Sequence, residues 1–405
     1  MIIKDLKHEV EQHVSIITDQ LIKMCHINSG SENLDGLKQM SKELTTLFQP
    51  IADEIQIIKS EPVEQMDMHG NLLKISCGDT LYIRKRPDCP RRILLTGHMD
   101  TVFSKDSTFQ EVKPIDDNRW NGPGVADMKG GLLVILHALS QFEKFESADS
   151  IGWDVMINAD EEIGSIASSR FMDEIARHYQ ASLIYEPAMN DRGSLAKNRK
   201  GSGKLTIVAK GRTAHAGRDF YNGRNAIVHL AEILADIHQL NFPANGVTIN
   251  IGKILGGDAL NQVPDKAVAK LDIRIAQQDD EAWVRQKIDD IIQKHAKEDY
   301  QVTVHGQFAR PVKRVNHATE NLFNRIVAIG KQIGVSIDWM DSGGCCDGNN
   351  IASHGVPVID TLGVRGGAIH SPNEYILLDS FIERITLSTL LLDDLARGSL
   401  EDIQS

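Results

Sequence analysis

The amino-acid sequence predicts an α/β protein: a mostly parallel mixed sheet with helices on both faces, interrupted by an inserted α+β sandwich. Three observations carry this expectation. Strand-like apolar runs alternate with helical ones through the first 199 residues, the pattern of a sheet covered on both sides. Near Lys200 the order becomes β-α-β-β-α-β, a compact split-βαβ sandwich, and from about Pro311 the first pattern returns. Histidines and acids sit where apolar strands end, which is where open α/β sheets carry their chemistry. The expected division is a discontinuous domain, residues 1–199 and 313–405, around an inserted domain at 200–312.

Taken in order, residues 1–50 read helical, with Leu6, Val10, Val14, Ile17, Leu21 and Met24 recurring every three or four positions. Short strands follow at Ile55–Ile58, Leu72–Ile75 and Leu81–Arg84, then Arg91–Thr96. Leu132–Leu139 reads as a buried helix, Ile151–Asn158 as a strand, Ser168–Tyr179 as a helix and Ala181–Tyr185 as a strand. The inserted part offers strands at Lys204–Lys210, Val247–Ile254, Ala267–Ala276 and Tyr300–Val304. Its helices are Asn225–Leu240 and Asp280–Lys297. The chain closes with a helix at Asn321–Ile333, a strand at Pro357–Thr361, a Gly-rich loop at Gly363–His370 and a helix at Asp379–Arg397.

At 405 residues the chain is long enough for two or three domains. Its apolar share of 41% and charged share of 25% are those of a soluble globular enzyme. A net charge of −12 argues against a nucleic-acid partner, whose phosphates need a basic face. No signal peptide is expected from the N-terminus MIIKDLKHEVEQ, and no run approaches the roughly 20 apolar residues that span a bilayer, so no membrane partner is expected. Cys25, Cys77, Cys89, Cys345 and Cys346 are odd in number and lack C-x-x-C spacing, which points to a reduced, cytoplasmic protein.

The chemistry centres on Asn121–Gly131, NGPGVADMKGG, where Asp127 lies in a glycine-rich turn just ahead of the buried helix. A carboxylate held on such a turn can serve two partners, one per oxygen. In TGHMDT, His98 and Asp100 are two apart and point the same way from a strand end. That suits an imidazole metal ligand whose other ring nitrogen is held by a carboxylate. In NADEEIGS three consecutive acids end a strand and repel one another unless a cation sits among them. Glu186 follows the strand ASLIY directly, and His370 lies in GGAIHSP. Together His98, Asp127, Glu162, Glu186 and His370 suit two divalent ions sharing one bridging Asp, with Zn²⁺ favoured and Mn²⁺ or Co²⁺ possible. Two such ions, three carboxylates and one bridging hydroxide sum to zero charge, which supports a dinuclear hydrolase.

The segments TGHMDTV, NGPGVADMKGG, DEEIGS, YEPA, GRTAHAG and GGAIHSPNE resemble, in order and along essentially the whole chain, the dinuclear zinc aminoacylase/carboxypeptidase family. That family includes glutamate carboxypeptidase, acetylornithine deacetylase and succinyl-diaminopimelate desuccinylase. The resemblance implies a zinc exopeptidase-like catalytic domain and two zinc ions per subunit. One ion would be held by Asp127, Glu162 and His370, the other by His98, Asp127 and Glu186. It further implies Glu161 as general base, Asp100 as the orienter of His98, and a cis peptide after Asp127. His215 is expected to polarise the scissile carbonyl, often from a partner subunit, so the inserted part would serve as lid and homodimer interface. Asn261 and Arg274 match positions that hold a substrate carboxylate, for which Arg offers a bidentate fork. Ser342–Asn349, with Gly343, matches a substrate loop, and Gly367 is placed in the substrate site beside His370. The Cys345–Cys346 pair departs from that loop's usual Gly, Ser or Thr, and both are read as small pocket or core residues. The expected substrate is a peptide or small molecule with a free carboxylate, cleaved at a peptide or N-acyl amide bond. A deacylase or desuccinylase of N-acyl amino acids is the nearest alternative, and a non-catalytic binding protein a remote one.

Overall fold

A computed structural model describes residues 3–241 and 246–403. It divides the chain into two compact units. One comprises residues 1–61, 76–198 and 313–405, the other residues 62–75 and 199–312.

The first unit is built on a six-stranded sheet in the order Glu54–Ile58, Thr80–Lys85, Gly152–Asn158, Arg92–His98, Ala181–Ile184, Val358–Ile359. The four strands from Gly152–Asn158 to Val358–Ile359 pair in parallel, and the two at the other edge are antiparallel. Successive side chains alternate between the faces. Ile93, Leu95, Val155, Ile157 and Leu183 join the core shared with the helices Ile3–Cys25, Lys129–Phe142 and Asp379–Asp394. Leu94, Met156 and Ile184 turn the other way, toward Met172, Ile175 and Ile351 of the short helices Ser169–Ile175 and Asp347–Ala352. The strand Arg92–His98 is buried along its whole length. Each of its apolar side chains contributes roughly 1.5–3 kcal/mol on burial, which makes it a rigid support for the residue at its end.

The helical stretch expected over residues 1–50 is two helices, Ile3–Cys25 and Leu34–Phe48; its first two residues lie outside the described ones. Asn33 starts the second helix by accepting a hydrogen bond from the Gly36 amide, the local satisfaction that an N-cap Asn offers. The helix expected at Ser168–Tyr179 ends its α-helical part at Ile175. The sequence also hides a small antiparallel sheet in the order Gly366–Gly367, Tyr375–Leu377, Arg119–Asn121, Lys113–Pro114. Its strands are two or three residues long, too short for a period to show. It ties the start of the Asp127 loop to the segment after His370.

The second unit carries the β-α-β-β-α-β order: an antiparallel sheet Thr248–Gly256, Lys266–Ile275, Gly201–Lys210, Gln301–Arg310. The helices Ala226–His238 and Asp280–Lys294 share one core with it, through Leu230, Ile233, Val284 and Ile288. Residues 62–75, expected with the first domain, belong here. They form a hairpin, Val63–Met66 with Leu72–Ile75, whose Met66 packs on Val208 and Val268 while Lys266 Nζ bonds the His69 carbonyl.

Candidate metal centre

The first unit's sheet delivers the candidate residues to one end of its parallel strands. His98 is the last residue of Arg92–His98, and Glu161 and Glu162 open a 3-10 turn beyond Gly152–Asn158. Glu186 lies two residues past Ala181–Ile184. Asp127 precedes the helix Lys129–Phe142, in a turn that packs tightly. A Cβ on Gly131 would stand 2.1 Å from the Tyr185 carbonyl oxygen, so glycine alone admits this approach of helix to strand end. The Asp127–Met128 peptide is cis, as the resemblance implies.

Asp127 reaches a different histidine with each oxygen. Oδ1 stands 3.2 Å from His98 Nε2, and Oδ2 stands 3.2 Å from His370 Nε2. His98 Nε2 is also 3.7 Å from Glu186 Oε1, and His370 Nε2 is 3.1 Å from Glu162 Oε2. Glu161 offers an oxygen in a group with His98 and Glu186 whose donor atoms all lie within 4.8 Å. His98 uses its other nitrogen inward: Nδ1 is 3.0 Å from the Asp100 carbonyl and 3.3 Å from Asp100 Oδ1. The buried Asp100 carboxylate also accepts the amides of Glu161 and Glu162, and the Ser31 hydroxyl at 2.7 Å. One carboxylate thus orients the imidazole and the acidic turn together.

The residues fit divalent ions. Imidazole and carboxylate are the donors that zinc takes at about 2.0–2.2 Å, and two donors on one tetrahedral ion are then about 3.3–3.6 Å apart. The separations of 3.1 to 3.7 Å between Nε2 and carboxylate oxygens lie close to that edge, within about 0.2 Å of its limits. Electrostatics agree. Burial alone would lower the His98 pKa, but Glu186, Asp100 and Asp127 outweigh it and hold it well above the ordinary value. Hydrogen bonds to Asp127 and Glu162 raise His370 to about 11. Burial and the Asp127 charge push Glu162 up to about 7, whereas burial's upward pull on Asp127 is overcome by His370 and His98. An acid-rich pocket that drives both its histidines cationic is one that calls for positive charge.

Of the remaining expected residues, His215, Asn261 and Arg274 lie in the second unit. His215 and Asn261 come together on one ribbon, where Ala214–His215 pairs with Gln262–Val263 and the Ala216 amide bonds the Asn261 carbonyl. His215 is exposed and its Nδ1 accepts the amides of Gly217 and Arg218, so Nε2 carries the proton and is a donor. The Arg274 fork is engaged by Asp272, Nε to Oδ1 at 2.8 Å and Nη2 to Oδ2 at 3.2 Å. A substrate carboxylate there would share it. Gly343 lies in the open turn after Trp339–Ser342, and Gly367 pairs with Tyr375 three residues before His370. Cys346 is a buried helix cap: its sulfur accepts the Gly348 amide and its thiol donates to Asp360 at 3.2 Å.

Three acids have roles that the motifs did not reveal. Asp160, first of the three in NADEEIGS, turns away to accept the amides of Ala167 and Ser168 and the Ser168 hydroxyl. Asp347 accepts Asn158 Nδ2 and the Ser165 hydroxyl. Glu374, at the end of GGAIHSPNE, accepts the amides of Ala126 and Asp127. Its place in a quoted motif was the only signal available.

The chain is 27% identical over 323 residues to carboxypeptidase G2 of Pseudomonas sp. (strain RS-16), covering 79% of this chain and 78% of that protein. It is 26% identical over 324 residues to succinyl-diaminopimelate desuccinylase of Hahella chejuensis, covering 75% and 82%. Among solved structures, the M20 family metallo-carboxypeptidase Sso-CP2 of Sulfolobus solfataricus superposes with a TM-score of 0.73 over 93% of this chain and 98% of the other, at 17% identity. Aminopeptidase PepT of Bacillus cereus gives 0.70 over 95% and 99%, at 21% identity. The family model described as Peptidase family M20/M25/M40 matches residues 94–394, a span that contains all the candidate ligands. The chain belongs to that family and is a metal-dependent hydrolase of the metallopeptidase/amidohydrolase type.

Proposed function

We propose that the chain cleaves a peptide or N-acyl amide bond next to a C-terminal amino acid, as a dinuclear zinc hydrolase similar to glutamate carboxypeptidase. The observation that carries this reading is Asp127, with each carboxylate oxygen 3.2 Å from a different histidine. His98, Asp127 and Glu186 would hold one ion, and Asp127, Glu162 and His370 the other. When bound there, such ions polarise a carbonyl and make a water acidic. Glu161 takes the proton from the attacking water and returns it to the leaving amine. Asp100 fixes the amide of Glu161, so the base and His98 share one anchor. The Nε2–H of His215 donates to the carbonyl oxygen as negative charge develops there. Asn261 and the Arg274 fork take the substrate's free carboxylate, and Gly343 and Gly367 are assigned to substrate binding.

A second reading, a deacylase or desuccinylase of N-acyl amino acids, is favoured by the desuccinylase relative at 26% identity and uses the same residues. The chain is proposed to be a homodimer through its second unit. There the edge strand Thr248–Gly256 exposes Ile254 and Leu255, and the helix beside it exposes Ile227 and Val228, an unprotected edge of the kind that pairs with another chain.

One experiment tests all of this. Solution mass and zinc per chain are measured first, then hydrolysis of C-terminal dipeptides, N-benzoyl-glutamate, N-acetyl and N-succinyl amino acids, with and without chelator. Dimers carrying two zincs, with chelator-sensitive release of an amino acid, are expected, and the preferred acyl group separates the two readings. Glu161→Ala should keep both ions and lose about 10²–10⁴-fold in kcat; near-normal turnover would sink its assignment. A chain that binds no metal would overturn the whole reading.

A further inference from the structure

One residue holds the Asp127 loop at four points. The backbone carbonyl of Glu374 accepts Asn121 Nδ2 at 2.7 Å and the Gly122 amide at 3.3 Å. Its Oε1 accepts the amides of Ala126 and Asp127, both at 3.0 Å. The side chain is fully buried. A carboxyl group buried among backbone amides is costly where a leucine of similar size would pack freely, so its presence calls for a specific task. Without it, two amides next to the bridging carboxylate would be left buried and unmet, a cost of about 1–3 kcal/mol each.

The same short segment carries His370. The Glu374 amide bonds the Ser371 carbonyl, the Ser371 hydroxyl bonds the Ala368 carbonyl, and Asn121 Nδ2 also reaches the Pro372 carbonyl. Ala368 and His370 sit at φ of 52° and 61°, in the left-handed region, held there by this turn. Ligand and clamp are therefore four residues apart on one turn, and that turn sets the 3.2 Å between Asp127 Oδ2 and His370 Nε2. The other half of the site has its own support, since His98 ends a buried strand and is oriented by Asp100.

We propose that Glu374 is a positioning residue that sets the Asp127 loop against His370 through the reach of its two-amide contact, and so maintains the Glu162–His370 ion site. The inference rests on Asp127 being a metal ligand. Its test uses the full chain, Co²⁺ alone as probe, and three variants. Glu374→Gln keeps an oxygen at the same reach and drops the charge. Glu374→Asp keeps the charge but is one methylene too short to meet both amides, and Glu374→Ala removes both. Stoichiometry and visible absorption are followed during Co²⁺ titration, with melting in chelator as the measure of fold.

The Gln variant should bind both ions within about threefold of the unaltered chain. The Asp and Ala variants should lose about 10–100-fold in affinity for one ion of the two, the range seen when a ligand's hydrogen-bonded support is removed. An Asp variant that matches the unaltered chain while the Gln variant loses an ion would overturn the proposal, because charge and not reach would then matter. Three variants that all bind like the unaltered chain would overturn it too. If the Ala variant does not fold, the Gln and Asp pair decides alone. Failure of the unaltered chain to bind Co²⁺ removes the metal reading itself, an outcome distinct from any difference among variants.

Discussion

His98 and His370 approach one carboxylate at the same 3.2 Å, but from supports of opposite kinds. The His98 side chain is 1% exposed, at the end of a strand whose every residue is buried, with Asp100 behind it. The His370 side chain is 53% exposed, on a turn held in left-handed backbone by its neighbours' hydrogen bonds. One half of the site is thus a product of the hydrophobic core and the other of a polar turn. A packed strand is stabilised by many apolar contacts at once, whereas a turn depends on a few hydrogen bonds. The His98 half should therefore behave as part of the fold, and the His370 half as a separable addition to it.

Four substitutions break or sharpen that contrast. Asp127→Ala acts on both halves and should be the most damaging. Both ions should be lost along with several kcal/mol of transition-state stabilisation, roughly 10³-fold or more in kcat/KM, read by metal content and steady-state kinetics. Comparing His98→Ala with His370→Ala then separates the halves. The first removes the imidazole that buried Asp127 and Glu186 share, a loss of roughly 3–5 kcal/mol for a broken buried pair, and should lower the melting temperature even in chelator. The second should remove one ion and leave chelator melting within a degree or two of the unaltered chain. Equal melting losses in the two variants would show that the contrast is wrong. Asp100→Asn should have the smallest effect, about 10–100-fold in affinity for the His98-side ion, because the isosteric amide retains part of the hydrogen bonding to the Glu161–Glu162 turn.

Much of the His98 half was legible in the sequence for the same reason that it is rigid. Strand periodicity is exact at two residues, so TGHMDT by itself places Asp100 on the side of His98. Strand ends are also where an α/β sheet gathers function. The His370 half was visible only as a motif, since nothing in GGAIHSPNE states that Glu374 turns back to the amides of Ala126 and Asp127, nearly 250 residues away. Two further features stayed hidden because local pattern suits more than one partner. The short apolar run Leu72–Ile75 fits a strand of either unit, and the packing of Met66 on Val208 and Val268, with the Lys266 bond to the His69 carbonyl, assigns the hairpin to the second. Arg274 reads as a free fork until Asp272, two residues back on the same face of the strand, is seen to occupy it.

What the chain determined by itself is the inventory and its order: a covered mixed sheet, an inserted β-α-β-β-α-β unit, and five candidate metal-ligating side chains at strand ends and glycine turns. These follow from periodicity and side-chain chemistry, which are properties of neighbouring residues. Tertiary structure alone decided that Asp160 serves its own loop and that Glu374 holds the Asp127 turn. Hydrogen bonds act over about 3 Å whatever the separation along the chain, so their partners are known only once the backbone has brought them together.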